Sequence, residues 1–173
     1  RVKGNFTRSN AQKSLTFYAR KEYGKGKMKY DFFDGKCLDA NGEPITEFDR
    51  VCIRSGGNDY AGVRFRDDLN QELMGQTRLD VQAKQPYILY INGEFWGMYH
   101  IKERIEDYYF ASHYDVDKKN VTYIKCGDTE GSSEIRQEYE DFYRWAVSAD
   151  LSLEENYKRV ADTIDLQSPM DYF

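Results

Sequence analysis

The architecture turns on one run, Gln85-Pro86-Tyr87-Ile88-Leu89-Tyr90-Ile91-Asn92-Gly93-Glu94-Phe95-Trp96-Gly97-Met98-Tyr99-His100-Ile101-Lys102-Glu103. Two apolar, aromatic and β-branched segments flank Asn92-Gly93. A two-residue type I′ turn needs φ > 0 at both central positions, and Asn-Gly meets that need better than almost any other pair. The run therefore predicts a β-hairpin in which Ile91 faces Glu94, Tyr90 faces Phe95, Leu89 faces Trp96 and Ile88 faces Gly97. Facing pairs share a sheet face, so Tyr90–Phe95 and Leu89–Trp96 fall on opposite sides. Both sides are apolar near the turn, which predicts a hairpin inside a sheet covered on both faces. Gly97 leaves room for close approach by a backbone or a ligand. Past His100 and Lys102 the pattern turns polar at Glu103.

Working outward, Lys13–Lys21 alternates, with Leu15, Phe17 and Ala19 assigned to a buried face and Ser14, Thr16, Tyr18 and Arg20 to a wet one. Phe48–Arg54 reads as a strand ending in the loop Ser55-Gly56-Gly57-Asn58-Asp59. A helix is expected over 61–74, with Phe65, Leu69 and Leu73 on its apolar face and Gly75 closing it. A second helix is expected over 105–113, then a strand over 120–125 and a loop over 127–133. From there the chain reads as helical. Ile135, Tyr139, Phe142, Tyr143 and Ala146 mark one amphipathic face. Ser152-Leu153-Glu154-Glu155 reads as a capping box, followed by the face Leu153, Tyr157, Val160, Ala161 and Ile164. Ser168-Pro169-Met170-Asp171 reads as the start of a last helix. Strands dominate the first part and helices the last, so the fold class is α+β, with a mostly antiparallel or mixed sheet around the hairpin.

Composition narrows the function. The chain has 173 residues, enough for a real core, and its 16% aromatic content argues against disorder. A net charge of −5 gives no support to a nucleic-acid partner, which favours a basic surface. No apolar run approaches the ~18 residues of a membrane span. Cys37, Cys52 and Cys126 lack C-x-x-C spacing and spell neither a zinc site nor a complete disulfide framework, so buried or free thiols are expected. Phosphate-loop, nucleophile-elbow and H-E-x-x-H motifs are absent from the sequence. His100 and His113 lie on different elements with no third ligand evident, so no metal site is assigned. Asp67-Asp68 reads as a solvated helix face, and Asp115-Val116-Asp117 as a turn.

Resemblance goes further than composition. Arg1-Val2-Lys3-Gly4-Asn5-Phe6-Thr7-Arg8 is similar to the R-G-N-S/T-x-R opening of the CotH family, the spore-coat-type atypical protein kinases. Lys13-Ser14-Leu15 is similar to its K-S-hydrophobic strand. Asn58-Asp59 with Phe65-Arg66-Asp67-Asp68-Leu69 is similar to its loop Asp and helix Arg. Tyr90-Ile91-Asn92-Gly93-Glu94-Phe95-Trp96-Gly97-Met98-Tyr99, with Glu103 four residues on, is similar to Y-x-N-G-E-Y-x-G-x-Y-x-x-x-E. The order and rough spacing agree over residues 1 to about 125.

The resemblance implies a protein-kinase-like architecture with this chain as its N-terminal portion. It divides the chain into a β-rich lobe-like region, 1–126, and the helical start of a following lobe, 127–173. It implies a parent that uses ATP and Mg²⁺ to phosphorylate Ser or Thr of a bacterial surface or spore-coat-type protein, outside the cytoplasm. Lys13, Arg8, Arg66 and Glu103 are the implied nucleotide-binding residues, with Lys13 meeting phosphates and the helix of Arg66 and Glu72 ordering it. The family's catalytic and metal-binding Asp residues are expected beyond position 173, so no catalytic or metal residue is assigned. The fragment itself is then expected to be inactive, to bind ATP weakly or not at all, and to self-associate through an uncovered helical face around Ile135, Tyr139, Phe142 and Val160. Two rival functions are a non-catalytic coat module and a carbohydrate-binding adhesive domain. The second would use Trp96, Tyr99, Tyr108 and Tyr109 as stacking platforms.

Overall fold

A computed structural model describes residues 1–125 and 127–173; Cys126 lies outside the described residues. Among the described residues nine strands run in the order β1 (Val2–Lys3), β2 (Ser14–Tyr18), β3 (Met28–Lys29), β4 (Glu47–Phe48), β5 (Arg50–Arg54), β6 (Lys84–Ile91), β7 (Glu94–Lys102), β8 (Tyr123–Lys125) and β9 (Asp128–Glu130). The helices are α1 (Arg66–Met74), α2 (Asp107–Tyr114), α3 (Ser133–Ser148), α4 (Glu154–Thr163) and α5 (Gln167–Tyr172). Five strands form one antiparallel sheet in the order β1-β2-β5-β7-β6. The fold is α+β, as the sequence indicates.

The hairpin forms around Asn92 and Gly93, both at positive φ (52° and 83°), as the turn chemistry requires. Its register departs from expectation. Ile91 faces Glu94 and Tyr90 faces Phe95, but Leu89 then faces Gly97 and Ile88 faces Met98. Trp96 is the extra residue of a β-bulge. Gly97 sits at φ 108°, a conformation that only glycine adopts without strain, so this glycine absorbs the irregularity.

The hairpin is not enclosed. β5 pairs with β7 only from Cys52–Lys102 to Arg54–His100, and β6 is an edge strand. Toward the turn, β7 has no neighbour but β6, so Ile88, Tyr90, Phe95 and Met98 are all about 60% or more exposed. The other end of β7 is central. Tyr99 and Ile101 join Val51, Ile53, Phe33, Cys37 and Phe48 in the hydrophobic core.

Facing residues share a side, so Leu15, Ile53 and Ile101 look toward this core, while Thr16, Cys52 and Lys102 look the other way. That second side was expected to be wet at β2, yet Ser14 and Thr16 are buried and Phe17 is exposed. The polar side is covered and internally bonded. Ser14 Oγ lies 3.1 Å from Ser55 Oγ, and Lys3 Nζ donates to Cys52 Sγ at 2.9 Å.

α1 begins at Arg66, later than expected, and its apolar residues Phe65, Leu69 and Leu73 are half-exposed. It docks through its acidic residues instead, described below. The segment expected to be a loop after residue 127 contains β9, which pairs with β8. α3 starts at a Ser132 cap whose Oγ accepts from the Glu134 and Ile135 amides. The capping box at Ser152 does not form: Leu153 is the cap residue, and Ser152 Oγ donates to Asp150. Cys37 and Cys52 are buried free thiols, as expected. Among the described residues no helix is long and apolar enough to cross a membrane.

Candidate functional site

The polar side of the sheet carries a buried charge network. Lys102 is 2% exposed. Its Nζ donates to Asp67 Oδ2 at 2.5 Å and also pairs with Asp68, which in turn pairs with His100 Nδ1. A buried ammonium is tolerated only when paired, so these contacts fix where α1 lies on the sheet. Burial pushes the Asp67 carboxyl pKa up, but the Lys102 hydrogen bond and charge, with help from Arg54, outweigh it and hold the group below the ordinary carboxylate range. Asp68 is therefore not part of a solvated face, whereas Asp67 stays half-exposed while it pairs with Lys102.

Beside this network lies a cleft of about 650 Å³. Thr16 and Tyr18 of β2, Gln71 of α1, the β7 exit at Arg104-Ile105 and the β8–β9 hairpin line it. Its charge is the reverse of the whole chain's. Arg1, Lys3, Arg8, Arg54, Arg104 and Lys125 line it against Asp128 and Glu130, six basic side chains to two acidic ones, while the chain carries −5. A concave surface lined by one sign of charge concentrates ligands of the other sign. The Gln71 carboxamide oxygen accepts from the Gln82 amide at 2.8 Å, tying α1 to the segment before the hairpin at the cleft wall.

The cleft's exit segment is itself braced. Glu106 is buried between Arg50 (2.5 Å) and Arg104 (2.7 Å). Burial raises its carboxyl pKa, and the two arginines only partly offset this. Arg104 also reaches Glu130 of β9 at 3.6 Å, linking the sheet to the β8–β9 pair.

Of the four residues implied by resemblance, Lys13 and Arg8 meet, and Arg8 alone of the four lines the cleft. Lys13 precedes β2, and its Nζ donates to the Arg8 carbonyl at 2.6 Å, so it braces the turn that carries Arg8. Arg66 is 70% exposed at the start of α1 and meets Asp59 at 3.5 Å. Glu72 pairs with Lys84 at 2.9 Å on the outer side of α1. Glu103 is buried, with its Oε1 2.9 Å from His113 Nε2. The residues missed were Lys102, Asp68, His100, Arg54 and Arg104. A usable signal was present: His100 and Lys102 occupy alternate positions on a strand whose other alternate positions, Tyr99 and Ile101, are core. A lysine on the side of a central strand that faces away from the core demands an acidic partner, and a histidine two residues before it demands a polar one.

Two of the aromatics considered for sugar stacking are unavailable, since Tyr99 and Tyr109 are buried. Tyr108 already carries the Lys118 ammonium over its ring at 3.8 Å.

Neither the curated proteins nor the solved structures contain a match to this chain. The family model described as CotH kinase protein does match, over residues 1–173, which is the whole chain, and the chain therefore belongs to the CotH family.

Proposed function

We propose that the cationic cleft receives the phosphates of ATP, and that the chain supplies the nucleotide side of a kinase-type phosphoryl transfer to a protein Ser or Thr. The observation that carries this reading is the concentration of six basic side chains in one cleft of an acidic chain. Phosphoryl transfer is achieved mainly by positioning and by charge stabilisation, and arginine forks suit phosphate oxygens. Arg54 comes from β5, Lys3 from β1, Arg8 from the segment between β1 and β2, Lys125 from the end of β8 and Arg104 from just past β7. Lys102 acts through α1: its pairing with Asp67 and Asp68 seats the helix that presents Gln71 to the cleft. The fit to Mg²⁺ is poor. Hard oxygen ligands are needed; Glu106, Asp107 and Glu130 bring carboxylate oxygens within 4.8 Å of one another at the cleft wall, yet Glu106 is held by Arg50 and Arg104 and Glu130 by Arg104. No metal role is assigned to this chain.

Calorimetric titration of the chain with ATP tests the reading. Weak binding is expected that falls as salt rises, because exposed charge pairs are screened. Arg54→Gln combined with Lys125→Gln should abolish it. Binding that ignores both salt and this pair would refute the cleft assignment. Phosphate incorporation into a Ser/Thr protein, by this chain or by a longer polypeptide that carries it, separates an enzyme from a non-catalytic coat module with the same fold. A surface or coat-type protein is the substrate class to try first.

A further inference from the structure

A second constellation lies on the opposite, core side of the sheet, away from the cationic cleft. Cys37 Sγ, one Glu103 carboxylate oxygen and a His113 ring nitrogen all lie within 4.8 Å of one another. They come from three separate pieces of chain: the loop between β3 and β4, the exit of β7, and α2. Cys37 is 1% and Glu103 7% exposed. Glu103 Oε1 meets His113, but the buried Oε2 has no hydrogen-bond partner. A buried carboxylate oxygen left without a donor is costly, and it points to a ligand that satisfies it.

We propose that Cys37, Glu103 and His113 bind a Zn²⁺ ion that pins α2 and the β3–β4 loop to the end of the hairpin. One sulfur, one nitrogen and one oxygen donor is a set that suits zinc and is wrong for Mg²⁺ or Ca²⁺. Metal–ligand bonds of about 2.0–2.3 Å give ligand–ligand edges of roughly 3.5 Å, so the three donors need only small movements to close on the ion. Charge also balances: a thiolate and a carboxylate neutralise Zn²⁺, so the site is tolerable in a buried setting. The thiol proton leaves to solvent as the ion binds. The His113 ring is already oriented, lying 4.1 Å from the Tyr109 ring at a 32° tilt. A cavity of about 750 Å³ reaches one of the three ligands, His113, alongside Tyr109, Lys36 and Leu38.

The same three residue types can form a nucleophilic trio, but the geometry here disfavours that use. Cys37 is enclosed, and burial together with the adjacent Glu103 carboxylate pushes its thiol pKa far up, away from the thiolate that such chemistry needs.

The test is a titration of the metal-free chain with Co²⁺, followed by displacement with Zn²⁺. Stoichiometric binding is expected, with visible bands of tetrahedral Co²⁺ and a near-ultraviolet thiolate-to-metal band. Cys37→Ser should remove the thiolate band, and Glu103→Gln and His113→Gln should each weaken binding more than ~10-fold. Zn²⁺ should also raise the melting temperature of the unmodified chain, with reversal by a chelator; this readout needs no variant to fold. A folded chain that takes up neither metal overturns the proposal. So does a thiolate band that survives Cys37→Ser, which would place the metal on another cysteine.

Discussion

Replacing Lys102 by Met tests the central structural inference, that a charge network rather than an apolar face seats α1. Met keeps most of the side-chain volume and removes the ammonium. Asp67 and Asp68 then lose their common partner. Breaking a buried ion pair from one side costs about 3–5 kcal/mol. The present case is milder for two reasons: the Asp67 side chain is 51% exposed and partly solvated, and Asp68 keeps His100. A loss of about 2–3 kcal/mol follows after that discount. For a chain of this size it lowers the melting temperature by roughly 5–10 °C. The assay is urea denaturation followed by circular dichroism, with Lys102→Met/Asp67→Asn/Asp68→Asn as the companion variant. Because the triple variant strands no charge, it should recover more than half of the loss. The gap between wild type and Lys102→Met should narrow in acid, as protonation neutralises Asp67 in both. A Lys102→Met variant within ~0.5 kcal/mol of wild type would refute the reasoning, since that is the range of ordinary surface substitutions.

Other outcomes follow from the same geometry. Asp67 has a depressed carboxyl pKa, so its contribution is present above the ordinary carboxylate range and is lost as pH falls through its lowered folded-state value. The acid limb of a stability–pH curve should therefore flatten in Asp67→Asn. Gly97→Val should cost about 1–3 kcal/mol in denaturant melts, because φ is 108° and a Cβ there falls 3.0 Å from Gln12 Nε2. An unchanged midpoint would mean that the bulge relaxes. The α3 face exposes Ile135, Tyr139 and Tyr143, whereas Val160 of α4, expected on the same uncovered face, is buried. Light scattering should show concentration-dependent association of the chain, reduced in Tyr139→Glu/Tyr143→Glu; a monomer at all concentrations would show that this face is not adhesive.

The sequence by itself determined whatever depends on local backbone chemistry. Asn92-Gly93 dictated the turn, because few residue pairs accept positive φ twice in succession. The 3.6-residue pattern from Ile135 to Ala146 dictated α3, and the pattern from Tyr157 to Ile164 dictated α4. The quoted motifs carried the CotH resemblance, because they preserve order and spacing that no single element requires.

Tertiary structure decided the rest. The bulge at Trp96 moved every pair below it by one residue, and nothing local to Leu89 or Ile88 records that shift. The edge position of β6 left apolar side chains exposed near the turn, since solvent exposure depends on which strands arrive beside the hairpin. α1 shows the same limit: its Phe65-Leu69-Leu73 stripe suggested an apolar docking face, yet the buried Lys102 of β7 outcompeted it, because a stranded charge costs more than a half-exposed leucine. The cationic cleft gathers Arg8, Arg54, Arg104 and Lys125 from distant parts of the chain, and Cys37, Glu103 and His113 meet in the same way. Spacing along a chain fixes what neighbours can do together, whereas side chains brought together by strand pairing and helix docking acquire their chemistry only when the sheet closes.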